Sequence, residues 1–123
     1  MVSGRNFVPI HVTSTTLDKY AQENKQEKID LIKMDTEGTE HLILQQASHV
    51  LTSMQPIIIC ETLFDKIESK LETILKSYGY EFYNHTANGL EKVSSIIRKE
   101  DDGVRNCFFV HPSKFHLIQD FIV

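Results

Sequence analysis

Basic clusters and long apolar runs are both missing from this sequence. No run of basic residues exceeds two, and 13 basic against 17 acidic residues give a formal net charge of −4 at pH 7. Proteins that bind nucleic acid normally carry a clustered basic excess, so no nucleic-acid partner is expected. The longest strongly apolar run spans residues 57–60, far short of the roughly 20 residues of a membrane helix. Residues 1–14 lack the charged-then-apolar pattern of a secretion signal. We therefore expect a cytoplasmic protein with no membrane partner.

Cysteine is also scarce. The two cysteines, Cys60 and Cys107, lie in apolar runs, and neither has a CxxC partner or a nearby histidine at the spacing of metal ligands. No metal site is therefore predicted. A disulfide between the two is one alternative, but in a reducing compartment we expect two buried free thiols.

The length and composition indicate one soluble domain. The chain has 123 residues, of which 41% are hydrophobic and 24% charged, and it shows no internal repeat or low-complexity segment. Both fractions are ordinary for a globular fold of this size. We expect a single domain over residues 1–123.

The most informative stretch is residues 29–40, with the sequence IDLIKMDTEGTE. Residues 29–34 read as a strand that is apolar on both sides except at Lys33, as in a parallel strand covered on two faces. Asp35 then falls where the strand ends, and Glu37, Gly38 and Glu40 follow in a turn and the first helical coil. Ligands of open α/β sheets bind beyond the carboxyl ends of parallel strands, so these carboxylates occupy a promising position.

A second strand is predicted to lie beside the first. After Gly38 a helix is predicted to run to about residue 53, and residues 56–61 form a second apolar strand that ends in Glu61. A strand-helix-strand unit of this length places both strands in parallel, with their carboxyl ends at one edge of the sheet. Asp35 and Glu61 should therefore lie side by side.

The rest of the chain supplies the other predicted elements. Residues 8–13 alternate apolar and polar, which indicates a strand that Pro9 confines to an edge or a late start, and Thr15 or Thr16 caps a short helix. Further predictions are a helix over residues 65–78 that ends at Gly79, strands over 80–85 and 90–97 joined by an Asn88-Gly89 hairpin turn, a last strand over 105–110 and a helix that begins at Pro112.

The candidate site residues each have two interpretations. Asp35 is a general base or positions a substrate hydroxyl, or else it hydrogen-bonds the turn backbone. Glu37 and Glu40 cluster with Asp35 for metal or base chemistry, or they complement the helix macrodipole. The macrodipole is the favoured interpretation for Glu40. Glu61 faces Asp35, which would raise one carboxyl pKa, or it pairs with Lys33 or Lys66. Asp35, Glu37 and Glu61 are the predicted catalytic residues.

Three segments in order carry a family resemblance: Thr16-Leu17-Asp18, the twelve residues 29–40, and the apolar strand 56–61 that ends in Glu61. They resemble the FkbM-type methyltransferase family, whose members carry a TLD element, a strand of the form IDLIKxDxEGxE and a later apolar strand ending in Glu. Residues 79–80 and 106–110 are also similar to the family pattern, so the resemblance covers residues 8–116.

The resemblance implies an S-adenosylmethionine-dependent enzyme, usually O-methylating, with a seven-stranded Rossmann-like sheet. This chain would supply the fourth to seventh strands: an α/β fold with a parallel βαβ core and antiparallel C-terminal strands. In the family the cofactor is held largely by a glycine-rich loop upstream of the matched region. The five glycines of this chain do not cluster, which puts cofactor binding by this chain alone in doubt.

A truncated sheet of this kind would leave the edge of the strand at residues 29–34 unpaired, and such an edge is a template for association. Residues 8–13 could cover it, two copies could pair as a homodimer, or a complementing chain could supply the missing half. Two functions follow as hypotheses. One is O-methyl transfer to a small molecule or sugar after completion by another chain; the other is a non-catalytic remnant that self-associates through the edge.

Overall fold

The structure, a computed structural model, describes residues 7–62, 64 and 66–123. It is a mixed α/β fold. In chain order the elements are α1 (Leu17–Glu23), β1 (Leu31–Met34), α2 (Glu40–Gln45), a π-helix (Val50–Met54), β2 (Ile57–Glu61), α3 (Glu68–Ser77), β3 (Glu81–Thr86), β4 (Gly89–Val93), β5 (Asn106–Val110) and two 3-10 helices (Pro112–Leu117 and Gln119–Phe121).

The five strands form one sheet in the order β1-β2-β5-β3-β4. β1 and β2 are parallel, with Leu31 opposite Ile57 and Met34 opposite Cys60. The other three pairings are antiparallel. The parallel strand-helix-strand core and the antiparallel C-terminal strands are therefore as predicted, and β1 and β2 end at the same edge of the sheet.

Each face of the sheet has its own core. On one face, alternate residues of the strands, including Ile58 and Phe109, pack against leucines of α2, the π-helix and α3. On the other face, Ile57, Tyr83 and Val110 pack against Ile118 from the 3-10 segment. The free cysteines Cys60 and Cys107 are buried opposite each other on β2 and β5. In the described part of the chain, no helix has the length and apolarity to cross a bilayer.

β1 differs from its prediction as a strand buried on both sides. It begins at Leu31 rather than at residue 29, and it is the first strand of the sheet order, with β2 its partner in the described residues. Met34 is buried under the helices, but 57% of Leu31 is exposed on the opposite face. An apolar run looks the same in the sequence whether other elements cover one face of the strand or both faces. The prediction that both faces of β1 are covered was wrong for this reason.

The predicted single helix from Gly38 to residue 53 is also wrong. α2 ends at Gln45, and a second helical segment leads into the π-helix, which ends at Met54 and is capped by Gln55 with φ +52°. Asp18 of α1 explains the break, because its carboxylate accepts hydrogen bonds from the backbone N–H of His49 (2.9 Å) and of Val50 (3.0 Å). The side chain of a distant helix thus satisfies N–H groups at the start of the second segment, as an N-cap does.

The remaining elements match their predictions in type more than in extent. A hairpin joins β3 to β4 as predicted, but its two-residue loop is Ala87-Asn88, and Gly89, with φ +139°, begins β4 opposite Thr86. Gly79 follows α3 with φ +81°. α3 begins at Glu68; Asp65, where the predicted helix starts, lies outside the described residues. Residues 8–13 form no strand, which contradicts the prediction. The C-terminal helix is replaced by two 3-10 helices, in which Ile118 is buried.

Candidate active site

A cleft of about 630 Å³ opens beyond the carboxyl ends of β1 and β2. Its lining residues come from the turn after β1, the end of β2 and the start of α3: Asp35, Glu37, Gly38, Glu40, Glu61, Lys66 and Ile67. The parallel pairing of β1 with β2 brings the turn and the strand end together, so the three predicted catalytic residues share one cleft. Four of the lining side chains are carboxylic, and one is basic.

The turn after β1 is held in shape by Glu40. Glu37 (φ +59°) and Gly38 (φ +107°) are consecutive residues in the left-handed region, where only glycine is free of strain. The carboxylate of Glu40, 2% exposed, accepts hydrogen bonds from Thr36 Oγ1 at 2.7 Å and from the backbone N–H of Gly38 at 3.2 Å. Glu40 therefore has a structural role that is more specific than complementing the macrodipole. Glu37 keeps its side chain exposed at the cleft.

Asp35 and Glu61 lie in the same cleft, close enough for Asp35 to change the pKa of Glu61, and this proximity is as the sequence predicts. The pKa of Glu61 is raised, first by the carboxyl–carboxyl hydrogen bond to Asp35, then by the negative charge of Asp35 and by burial. Lys33 and Arg105 oppose this shift through their positive charge. A neighbouring negative charge disfavours ionisation, so Glu61 keeps its proton to a higher pH than an isolated glutamate does. An acceptor bound in the cleft would therefore meet two adjacent carboxyl groups.

The thiol and the lysines near Asp35 and Glu61 limit the reactions that this cleft can support. Burial, with the charge of Glu40 next in importance, raises the pKa of the Cys60 thiol to about 12. Because a thiolate is the reactive form, Cys60 is not a nucleophile at neutral pH. Glu61 forms no ion pair with Lys33 or Lys66, although all three residues are described, and the described residues hold no cluster of three metal-ligating side chains.

Sequence reasoning missed the side chain that fixes the wall of this cleft. Arg98 donates hydrogen bonds to the backbone oxygens of Thr62 (2.6 Å) and Val104 (2.7 Å), and it pairs with Glu68 of α3 at 3.6 Å. It thus ties the end of β2 to the start of α3, and the cleft residues Lys66 and Ile67 lie between those two points. The sequence places Arg98 in a charged turn, and no local signal distinguishes it from its neighbours.

The carboxyl pair makes a direct prediction for titration. Replacing Asp35 with Asn should bring the raised pKa of Glu61 down to its ordinary value of 4.5 or below, because the repulsion disappears and an amide N–H stabilises the ionised form. NMR titration of the Glu61 side-chain carboxyl carbon measures this directly. Glu37→Gln is the matched control and should leave the Glu61 titration unchanged; an equal shift in both variants would contradict the pairing.

The comparisons with known proteins extend this description. A sequence model of the Methyltransferase FkbM domain matches residues 2–82, more than half of the chain. The chain belongs to the FkbM methyltransferase family. No curated protein and no solved structure matches it.

Membership of the FkbM family implies dependence on S-adenosylmethionine in general. Among the described residues that line the cleft there is no glycine-rich loop, however. Gly38 is the glycine of the cleft, and a Cβ added there would meet no atom within 4 Å. Its lack of a side chain allows its left-handed φ of +107°.

Proposed function

We propose that this FkbM domain provides the acceptor side of an O-methyl transfer to a hydroxyl of a small molecule or sugar. The observation that carries the proposal is the placement of Asp35 and Glu61 in one cleft, beyond the ends of the two parallel strands, where the Asp35 carboxyl raises the pKa of Glu61. Methylation of a hydroxyl oxygen requires its proton to leave, and a carboxylate within hydrogen-bonding reach is a suitable general base.

Each predicted catalytic residue has a defined task in this proposal. The carboxylate of Asp35 accepts a hydrogen bond from the acceptor hydroxyl and then its proton. Glu61 shares that proton through the carboxyl–carboxyl hydrogen bond, so that the charge is spread over both groups. Glu37, exposed at the mouth of the cleft, orients further hydroxyls of the acceptor. Lys66 on the opposite wall adds a single hydrogen-bond donor.

S-adenosylmethionine is held by a complementing chain in this proposal. The sheet order and directions support the Rossmann-like assignment, in which the five strands are the C-terminal part of a methyltransferase sheet and β1 is the strand that a further half would extend. The outer edge of β1 is available for that pairing in the described part of the chain.

The second candidate function is a non-catalytic methyltransferase-fold remnant that self-associates through the edge of β1. The unpaired edge and the exposed Leu31 side chain favour it. The two candidates differ in what they require of the cofactor, since a remnant has no need of S-adenosylmethionine with or without another chain.

Calorimetry with S-adenosylmethionine separates the candidates. We expect no heat of binding for this chain alone at millimolar ligand, and a saturable heat after mixing with a separately expressed N-terminal half of an FkbM domain. In that complex, Asp35→Asn should lower kcat/KM for methyl transfer to a hydroxyl acceptor by about 10²–10⁴-fold. Glu91→Gln, an exposed change on β4, should keep full activity. Absence of both heat and transfer in the mixture would leave the remnant.

A further inference from the structure

The outer edge of β1 offers a defined set of backbone groups. The N–H of Ile57 donates to the carbonyl of Asp30 at 2.9 Å, which fixes the alternation of the parallel ladder. Asp30, Ile32 and Met34 therefore direct their backbone groups to β2, and Leu31 and Lys33 direct theirs outwards. In the described residues, these outward N–H and C=O groups have no partner. The Leu31 side chain beside them is 57% exposed.

Residues 8–13 of the same chain have the sequence pattern of a strand but have no partner strand in the described structure. Val8, Ile10 and Val12 alternate with Pro9, His11 and Thr13, the period of a strand. Their exposed fractions are 81%, 81% and 84%, and the segment belongs to no strand of this sheet. Three large apolar side chains on one face of an extended segment are unfavourable in water, so burial of this face against a partner would stabilise the segment.

Pro9 determines which side of the segment can pair. Proline has no N–H, so it is tolerated where its nitrogen faces away from the partner strand. The residues that direct their backbone groups to the partner strand must then be Val8, Ile10 and Val12. Pro9, His11 and Thr13 direct their backbone groups to the outside. In an antiparallel pairing with Leu31 and Lys33, residues directly opposite share a face of the sheet. The three apolar side chains would then lie on the face where Leu31 is exposed.

We propose that residues 8–13 of one copy add as an antiparallel strand to the β1 edge of a second copy, and that the exchange is reciprocal. A second copy is favoured over the segment's own strand because α1, which begins at Leu17, is fixed to the start of the π-helix by Asp18. In the structure, residues 8–13 pair with no strand of their own sheet, and Val8, Ile10 and Val12 stay exposed. The reciprocal exchange gives a closed two-fold dimer. Pro9, on the new outer edge, blocks the addition of a third strand.

This inference rests on the second proposed function, self-association at the edge, because the exchanged segment and the complementing chain of the first function would compete for the same edge of β1. Failure of the dimer would leave the S-adenosylmethionine titration and the Asp35→Asn test unaffected. Conversely, a dimer that binds no S-adenosylmethionine would support the exchange and remove only the first function.

A pair of proline substitutions tests the exchange. Light scattering after size exclusion should give the wild-type chain twice its 14.2 kDa mass. Ile10→Pro removes an N–H that bonds β1 of the partner and should weaken the dimer at least tenfold. His11→Pro removes an N–H that points outwards and should change the dissociation constant less than twofold. Both positions are exposed and outside every helix and strand, so neither change should disturb the fold of the single copy.

Each result of the two proline substitutions either supports the exchange or overturns it. A dimer lost in Ile10→Pro and kept in His11→Pro supports the exchange. A wild-type chain that stays monomeric at high concentration overturns it, and slow hydrogen exchange at Leu31 and Lys33 in that monomer would show that the segment covers its own edge instead. A dimer equally sensitive or equally insensitive to the two prolines also overturns it, because the pairing side would then have no influence.

Discussion

Replacing Arg98 with Met is expected to lower the free energy of unfolding by about 3–5 kcal/mol, the cost of breaking a buried ion pair from one side. The Arg98 and Glu68 side chains are 9% and 6% exposed. Without the guanidinium, the carboxylate of Glu68 would stay buried with no opposite charge, and the carbonyl oxygens of Thr62 and Val104 would each lose a donor.

Urea unfolding followed by circular dichroism measures this effect. Arg105→Met is the matched control, because Arg105 pairs with Asp101 at 3.4 Å with both side chains about half exposed, and exposed pairs contribute only about 0–1 kcal/mol. The double variant Arg98→Met with Glu68→Gln should be more stable than the sum of its single changes, since the amide no longer carries a buried charge. A loss in Arg98→Met no larger than that in Arg105→Met would contradict the buried network.

The Arg98 contacts also connect stability to the cleft. The residue pulls the end of β2 and the start of α3 together, and Lys66 and Ile67 line the cleft between them. Arg98→Lys keeps the positive charge but loses the planar fork that reaches two carbonyl oxygens at once. We therefore regard Arg98 as a positioning residue for the cleft wall.

The features predicted correctly from the sequence depend on local pattern joined to a connection rule. The parallel pairing of β1 and β2, and with it the proximity of Asp35 and Glu61, follows from two apolar runs separated by a helix, because such crossovers leave both strand ends on one edge. The hairpin between β3 and β4 is likewise indicated by the adjacent residues Asn88 and Gly89, although its loop lies one residue earlier, at Ala87-Asn88. These parts of the fold and of the site can be predicted because residues close together in the sequence determine them.

The features missed depend on contacts between distant residues. The break after α2 is set by Asp18, which reaches the N–H groups of His49 and Val50 from about thirty residues away. Arg98 similarly acts on Thr62 across 36 positions. Leu31 is exposed in a strand that has no neighbour on its outer side in the described fold. The apolar sequence of β1 does not indicate whether such a neighbouring strand is present. Tertiary contacts override local propensity at each of these places.

Glu40→Ala is expected to lower the free energy of unfolding by about 3–6 kcal/mol, since hydrogen bonds to charged groups contribute about 1.5–3 kcal/mol each and two donors would lose their acceptor. The donors are Thr36 Oγ1 at 2.7 Å and the N–H of Gly38 at 3.2 Å. The turn they hold carries Glu37 and Gly38 in the left-handed region, so its loosening should also move Asp35 relative to Glu61.

Glu40→Gln distinguishes closure of the turn from a simple charge effect. If Glu40 acted through the helix macrodipole, the neutral amide would lose as much stability as alanine, and the loss would shrink at high salt. Closure of the turn instead leaves one carbonyl oxygen for Thr36 or Gly38, so the glutamine variant should fall about midway between wild type and Glu40→Ala at every salt concentration. Glu37→Gln, an exposed carboxylate in the same turn, should be nearly neutral. Equal losses for the two Glu40 variants that vanish in 1 M salt, roughly a 3 Å screening length, would restore the macrodipole interpretation and remove the turn as the element that aligns the carboxyl pair.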